Sequence, residues 1–379
     1  MKRLRSGCKG TPPIKTSNRR GSKMLVEKLS DEQEWEKFVV NTSGGTFYHT
    51  LQWKKVLEES FACDTEYLVI RDEFGNLAGV CPFALTKKLG FFRILDSLPE
   101  SDFGGPLVEV SKAPAALDAL NEYLRGLCPE KDVTYAKIRC PDENMARHFN
   151  VKGMTIDTSS GSMNLDLEQN PPDFIWNEVF TQKSGQRTYI RRFEKDGFQN
   201  TAAQNLSDLE TFYDLYYRNV RYIGGAPHPY SFFRRLWDEL YPEYFNIILT
   251  VGNGKCIGGE GFFLFPPQRT AYQIYIGLDR EVETQYRTYF YLSWGLIKWC
   301  EQNGIKVVSF GGTPADPKST NYVQKSRFGG QFNQDYVVCL PFDRGRFLVR
   351  EAALKLGRAV QKRLPPALKS KLQRVGFGI

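Results

Sequence analysis

A carboxylate inside an apolar run is the first feature of this 379-residue chain that asks for a chemical explanation. Glu260 stands in "CIGGEGFFLF", which otherwise reads as a buried strand, and a carboxylate there needs a partner or a role. Gly258, Gly259 and Gly261 beside it permit a bulge or a close backbone approach; the plainer reading is an edge-strand Glu facing water. Tyr275, in the next alternating stretch "AYQIYIGL", either packs or hands a proton to a leaving group. Asp102 precedes two glycines and a proline in "SDFGGP", where a carboxylate caps a turn or, at a cleft, accepts a hydrogen bond from an amine. Lys183, Arg187, Arg191 and Lys195 recur at four-residue steps, which puts them on one helix face that suits a diphosphate. Tyr189, Ile190 and Phe193 are left to pack on another face; a merely solvated charged face is the alternative.

Metal chemistry is not expected. The chain has three histidines and eight cysteines with no close pair, whereas zinc sites and redox motifs need two ligands within a few residues. Cys300 lies in the apolar "WGLIKWCEQNG" with no histidine near it in sequence, so it reads as a buried thiol rather than a nucleophile. The net charge of +8 is carried by the ends. Residues 1–23 hold eight Lys/Arg and no acid, and residues 343–379 hold ten against Asp343 and Glu351, leaving 33 basic and 41 acidic residues between. The body therefore has no field that would draw polyanions. The tail after 343 mixes Phe347, Leu348, Leu354 and Val360 with its basic residues, the pattern of a helix that lies on a membrane surface or on a partner. No apolar run reaches 18 residues and no signal-peptide pattern opens the chain, so the expected location is cytoplasmic, with membrane association through that tail.

The elements that must hold these residues form a pattern that occurs twice. Residues 1–23 are read as a disordered basic extension. In the first half, helices at 31–38 and 50–60 precede a hairpin turning at Gly75 and Asn76, a further strand pair at "FFRILDS" and "GPLVEV", a helix near 114–127 and the strand "VTYAKIRC". The second half repeats this order. "LSDLETFYDLYYRNV", opening on a Ser207-x-x-Glu210 capping pattern, and "SFFRRLWDELY" are helices; a hairpin, the strand "AYQIYIGL", a helix ending at Gly304 and the strand "IKVVSFGG" follow. The expected fold is α+β, mixed α/β, with domains at 24–170 and 171–342 and a basic tail at 343–379.

This order is that of the GNAT acyltransferases, and four stretches resemble the FemAB-like family of tandem GNAT acyl and aminoacyl transferases. They are "LPESDFGGPLV", the basic helix at 182–198, the "YIGLD" to "SFGGT" strand–helix–strand unit, and "YVQKSRFGGQF", where Lys325, Phe328 and Gly329 match a Phe-Lys-x-x-Phe-Gly segment and Gln324 replaces its aromatic. The resemblance covers about 40–340. It implies two tandem GNAT-like domains and transfer of an acyl or aminoacyl group to an amine of a cell-envelope precursor, small or lipid-linked, or of a sugar nucleotide. Lys183, Arg187, Arg191 and Lys325 would hold acceptor phosphates, His228 in "GGAPHPYS" would contact the acceptor, and Asp102, Glu260 and Tyr275 would serve the reaction. No tightly bound cofactor is implied; the co-substrate would be an acyl-CoA or an aminoacyl-tRNA. Acetyl-CoA enzymes of this type carry a glycine-rich loop whose N–H groups cradle pyrophosphate. Here no glycine lies between Gly277 and Gly295, and Arg280 and Arg287 are left to bind donor phosphate by charge. An acetyl-CoA-dependent N-acetyltransferase and a non-catalytic binder of anionic glycan or lipid are the alternative readings.

Overall fold

A computed structural model describes residues 24–61, 63–88, 92–180 and 185–363. The basic extension at 1–23, Lys183 and the last part of the tail lie outside the described residues.

The first half runs β1 (Leu25–Lys28), α1 (Glu32–Asn41), α2 (Leu51–Phe61), β2 (Asp64–Arg71), β3 (Leu77–Lys88), β4 (Phe92–Ser97), β5 (Leu107–Val108), α3 (Ala113–Glu130), β6 (Tyr135–Cys140), α4 (Glu143–His148) and β7 (Thr155–Asp157). Then come β8 (Ser160–Asp166), α5 (Pro172–Phe174), α6 (Gln186–Lys195), β9 (Gln199–Ala202), α7 (Leu206–Tyr222), α8 (Tyr230–Leu240), β10 (Phe245–Gly252), β11 (Lys255–Phe265) and β12 (Thr270–Leu278). The chain closes with α9 (Arg280–Tyr286), α10 (Thr288–Gln302), β13 (Val307–Pro314), α11 (Thr320–Ser326), β14 (Gln331–Gln334), β15 (Tyr336–Pro341) and α12 (Arg344–Arg363). Local chemistry sets many boundaries. The β2–β3 turn closes because Asp72 Oδ1 accepts the N–H groups of Phe74 and Asn76 while Gly75 takes a positive φ. Helix α7 is capped by Asn205, whose side chain accepts the Asp208 N–H, and not by Ser207; the cap falls two residues earlier because Asn205 has the extended backbone a cap needs.

Two mixed sheets result, ordered β1-β2-β3-β4-β6-β15-β7, with β5 beside β3, and β14-β8-β13-β12-β11-β10-β9. They are antiparallel except for one parallel pair each, β4 with β6 and β12 with β13. The helices α3 and α10 make the corresponding crossovers, and α10 is apolar on nearly every side because it is buried against the second sheet, with Leu292, Leu296, Ile297 and Cys300 fully covered. Sheet membership crosses the sequence division at 170/171 twice. Strand β8, before it, pairs with β13 and β14 in the second sheet; β15, well after it, pairs with β6 and β7 in the first. A shared aromatic core joins the halves further, with Phe47 stacked on Phe263 at 4.4 Å and Tyr48 against Tyr272 at 5.6 Å.

In both sheets the parallel pair parts after a few residues. Strands β12 and β13 are paired only over Thr270–Tyr272 and Val307–Ser309, then diverge into a V. The V of the first sheet is occupied by Arg139, whose Nη1 donates to the carbonyls of Ser97 (3.2 Å) and Leu98 (2.7 Å) and to Asp96 (2.9 Å). The V of the second sheet opens on a cavity.

Candidate active site

That cavity has a volume of about 650 Å3 and lies between the domains. Asp102 and Arg139 come to it from the first domain, Tyr216 and Asn219 from α7, Gln273 to Ile276 from β12, Tyr289 from α10, Gly311 and Gly312 from β13, and Lys325 from α11. On β12 the register against β11 shifts so that Gly261 faces Tyr275 and Phe262 faces Gln273. Ile274 is thus the extra residue of a bulge, and its backbone leaves the ladder at the wall of the cavity.

Asp102 and Lys325, 223 residues apart in the chain, meet on one backbone segment. Asp102 Oδ2 accepts the Gly312 N–H at 3.1 Å, and Lys325 Nζ donates to the carbonyls of Gly311 (3.2 Å) and Gly312 (2.7 Å). Only glycine fits between them. Gly311 has φ +70°, and a Cβ there would lie 2.9 Å from Asp102 Oδ2 and 3.0 Å from the Gln273 carbonyl. Lys325 is 8% exposed, and burial pushes its ammonium down to about 8, with Asp102 pulling it back up. Two of its three donors are used by the glycine carbonyls, so the third remains for a ligand.

Tyr275 lines the cavity amid the rings of Tyr216, Phe232 and Phe233; burial first, then Glu100, holds its phenol protonated. Glu260 lies one layer below. It is fully buried on β11, between β10 and β12, and so is not an edge residue facing water. Its carboxyl accepts from Gln273 Nε2 (2.6 Å) and Ser293 Oγ (3.4 Å), and Tyr289 OH reaches Gln273 Oε1 at 3.4 Å. Burial raises Glu260 to about 8 against both hydrogen bonds, so it is neutral at pH 7. Glu260 does not line the cavity; Gln273 and Tyr289 do. It orients them.

His228 is half-buried beside the cavity, its Nε2 3.5 Å from Glu100 Oε2, with burial lowering its pKa. Arg280 reaches the rim, donating to Asn219 Oδ1 at 2.6 Å and lying over the Tyr222 ring.

The basic helix sits elsewhere. Arg187 donates to the carbonyls of Trp176 (2.6 Å) and Asn177 (2.7 Å), satisfying the end of the preceding turn, and Arg187 and Arg191 both lie over the Trp176 ring. Ile190 and Phe193 bury the other face of α6, as the spacing requires. Neither arginine lines the central cavity. Sequence reasoning missed Arg139, Gln273 and Tyr289; the "FGGT" within β13 is the one local signal that backbone would be exposed there.

The donor group implied by this fold can be tested against the start of α10, where a coenzyme A pyrophosphate would be cradled. The residues present do not fit it. Helix α9 fills the place of a glycine-rich loop, and Arg287 joins α9 to α10 with φ +60°. The carboxylate of Glu283 turns back onto the helix, accepting the Tyr289 N–H at 3.2 Å, with the Thr288 N–H also directed at it. A carboxylate of the chain itself thus stands where the diphosphate would need free donors. Among the described residues no group of three His, Cys, Asp or Glu is placed to hold a metal ion, and no helix is long and apolar enough to cross a membrane.

Residues 182–321 match the model of the acetyltransferase (GNAT) domain family. No curated protein matches by sequence. The fold is similar to the crystal structure of FemX, with a TM-score of 0.67, 14% identity, and 85% of this chain and 99% of that one covered. It is similar also to a tandem GNAT protein from the clavulanic acid biosynthesis pathway (TM-score 0.55, 11% identity, 84% and 98% covered). A third similar structure is L-PGS from Bacillus licheniformis (TM-score 0.55, 12% identity, 83% and 93% covered). Residues 182–321 thus match a GNAT acetyltransferase domain, and the chain as a whole shares the fold of a tandem GNAT protein.

Proposed function

We propose that the chain transfers an aminoacyl or acyl group to an amine of a cell-envelope precursor or sugar nucleotide, in the manner of FemAB-like enzymes. The observation that carries this reading is the convergence of Asp102 and Lys325 on Gly311 and Gly312 at the open V of the second sheet. Amine acylation needs a group that takes up the incoming amine and a donor for the oxyanion formed when its lone pair adds to the carbonyl carbon. Asp102 supplies the carboxylate, which takes the proton that the amine nitrogen loses as the new C–N bond forms. The free N–H of Lys325 supplies the oxyanion donor, in a buried site where such a bond is stronger than in water. When the tetrahedral intermediate collapses, the bond to the leaving group breaks, and the protonated phenol of Tyr275 is a hydrogen-bond donor to it.

The Glu283 cap favours a donor that does not place a diphosphate at the start of α10, and so an aminoacyl ester such as an aminoacyl-tRNA over an acyl-CoA. We further propose that α12, which exposes Leu348, Val349 and Leu356 among its basic residues while Phe347 anchors it on Tyr135, lies against an anionic membrane surface. The test is turnover of charged tRNAs and acyl-CoAs with amine-bearing precursors. Lys325→Met is expected to lower kcat at least 100-fold with folding intact, and wild-type kcat to fall as pH rises through about 8, where the ammonium deprotonates. Normal kcat in Lys325→Met would sink the assignment.

A further inference from the structure

A second cavity of about 450 Å3 lies in the first domain, and Asp102 and Arg139 belong to the walls of both cavities. Leu107, Val108, Ala113, Pro114, Leu117 and Met145 give it apolar walls, Asp142, Asn144 and His148 add polar groups around Met145, and Asp102, Arg139 and Asp335 line it as well. Asp335 lies in the link from β14 to β15 that carries the chain from the second sheet back to the first, and burial together with Asp102 raises its carboxyl to about 6, against Arg139.

The wall that bears Asp102 is braced from behind. Thr46 Oγ1 donates to the Phe103 carbonyl at 3.1 Å. His49 Nδ1 accepts the Thr46 N–H at 3.2 Å, which leaves the proton on Nε2, and that nitrogen donates to the Gly105 carbonyl at 3.1 Å. Burial keeps this imidazole neutral, its pKa down to about 4. A Cβ on Gly105 would lie 1.8 Å from the Arg139 carbonyl oxygen, so the loop packs directly on the end of β6. The chamber is therefore preformed, lined by apolar side chains and by carboxylates, and through Asp102 and Arg139 it adjoins the central cavity.

We infer that this second cavity receives the apolar body of the acceptor, whose primary amine reaches Asp102 at the common wall and faces the donor carbonyl in the central cavity. The carboxylates of Asp102 and Asp335 attract the protonated amine, and the apolar side chains remove hydrocarbon from water. This deepens the acyl-transfer reading and rests on it for its consequence: the acceptor carries its amine on an apolar body, in preference to a water-soluble sugar nucleotide.

The test reads binding, not turnover. The full chain is titrated by calorimetry with n-butylamine, n-hexylamine, n-octylamine and n-octanol. Affinity is expected to rise about fourfold per added methylene, and n-octylamine to bind at least tenfold tighter than n-octanol, a preference lost in Asp102→Asn. Ala113→Trp, inside the chamber, and Val110→Trp, at its wall and 88% exposed, should flatten the dependence on chain length. Absence of that dependence in the wild type, or its survival in both tryptophan variants, overturns the inference. Failure of the acyl-transfer reading would look different: alkylamines would bind as described while no amine was acylated by any donor.

Discussion

Replacing Glu260 by Gln should make the protein more stable at neutral pH, although it removes a buried and fully hydrogen-bonded side chain. The folded protein keeps the Glu260 proton up to about pH 8, whereas an ordinary glutamate in the unfolded chain releases it near 4.5. The folded pKa is the higher of the two, so the wild type loses stability as pH rises from 4.5 to about 8 and levels off above that. The slope is about 1.4 kcal/mol per pH unit, which by pH 7 accumulates to about 3 kcal/mol. Glutamine is neutral at every pH, keeps a carbonyl oxygen for Gln273 Nε2 and presents an amide to Ser293 Oγ. Urea unfolding of wild type and Glu260→Gln should coincide near pH 4 and separate progressively to pH 8, the variant being more stable by about 3 kcal/mol at pH 7. Because Glu260 acts on the cavity through Gln273 and Tyr289, the variant should also retain measurable kcat with a changed pH profile. Parallel stability curves from pH 5 to 9 would refute the buried, protonated assignment.

Three further outcomes follow from the geometry. Gly311→Ala should cost about 1–2 kcal/mol for the left-handed backbone, and more in activity, because the added carbon crowds Asp102; unchanged kcat would show that Asp102 need not hold this position. Glu283→Ala should lower stability by about 1 kcal/mol through loss of the carboxylate at the start of α10, and coenzyme A should give the wild type no thermal shift; a clear wild-type shift would place a diphosphate there after all. Replacing Leu348, Val349 and Leu356 by Ser should reduce co-flotation with phosphatidylglycerol vesicles without changing the melting temperature, and equal flotation of the variant would remove α12 from membrane contact.

What could be read from sequence was what local chemistry decides. The paired hairpins, the buried apolar helix α10 and the burying face of α6 are set by periodicity and turn residues within a few positions of one another. The partners of strands were not legible. "SGSMNLD" and "YVVCLP", the strands β8 and β15, do not stand out in the repeated pattern, and nothing within them says that each pairs in the other half's sheet. The site divides in the same way. Asp102 and Lys325 stand out by composition and resemblance, but their meeting on Gly311 and Gly312 requires Asp102 to reach a strand 210 residues further along the chain. Arg187 was misleading because a cationic face is visible in sequence, whereas the carbonyls of Trp176 and Asn177 that use it are not.

The exchange of β8 and β15 has a consequence for biosynthesis. A ribosome that has released residues 24–170 has delivered a first sheet whose β6 and β7 lack the strand between them, because β15 is made 165 residues later or more. Two beads folding in sequence is therefore not open to this chain. The nascent first half must wait with exposed strand edges, a natural client for a chaperone, and both sheets reach completion in the same late event. Cutting the gene between the repeats would give two insoluble fragments, and co-expressing those fragments should restore a soluble protein.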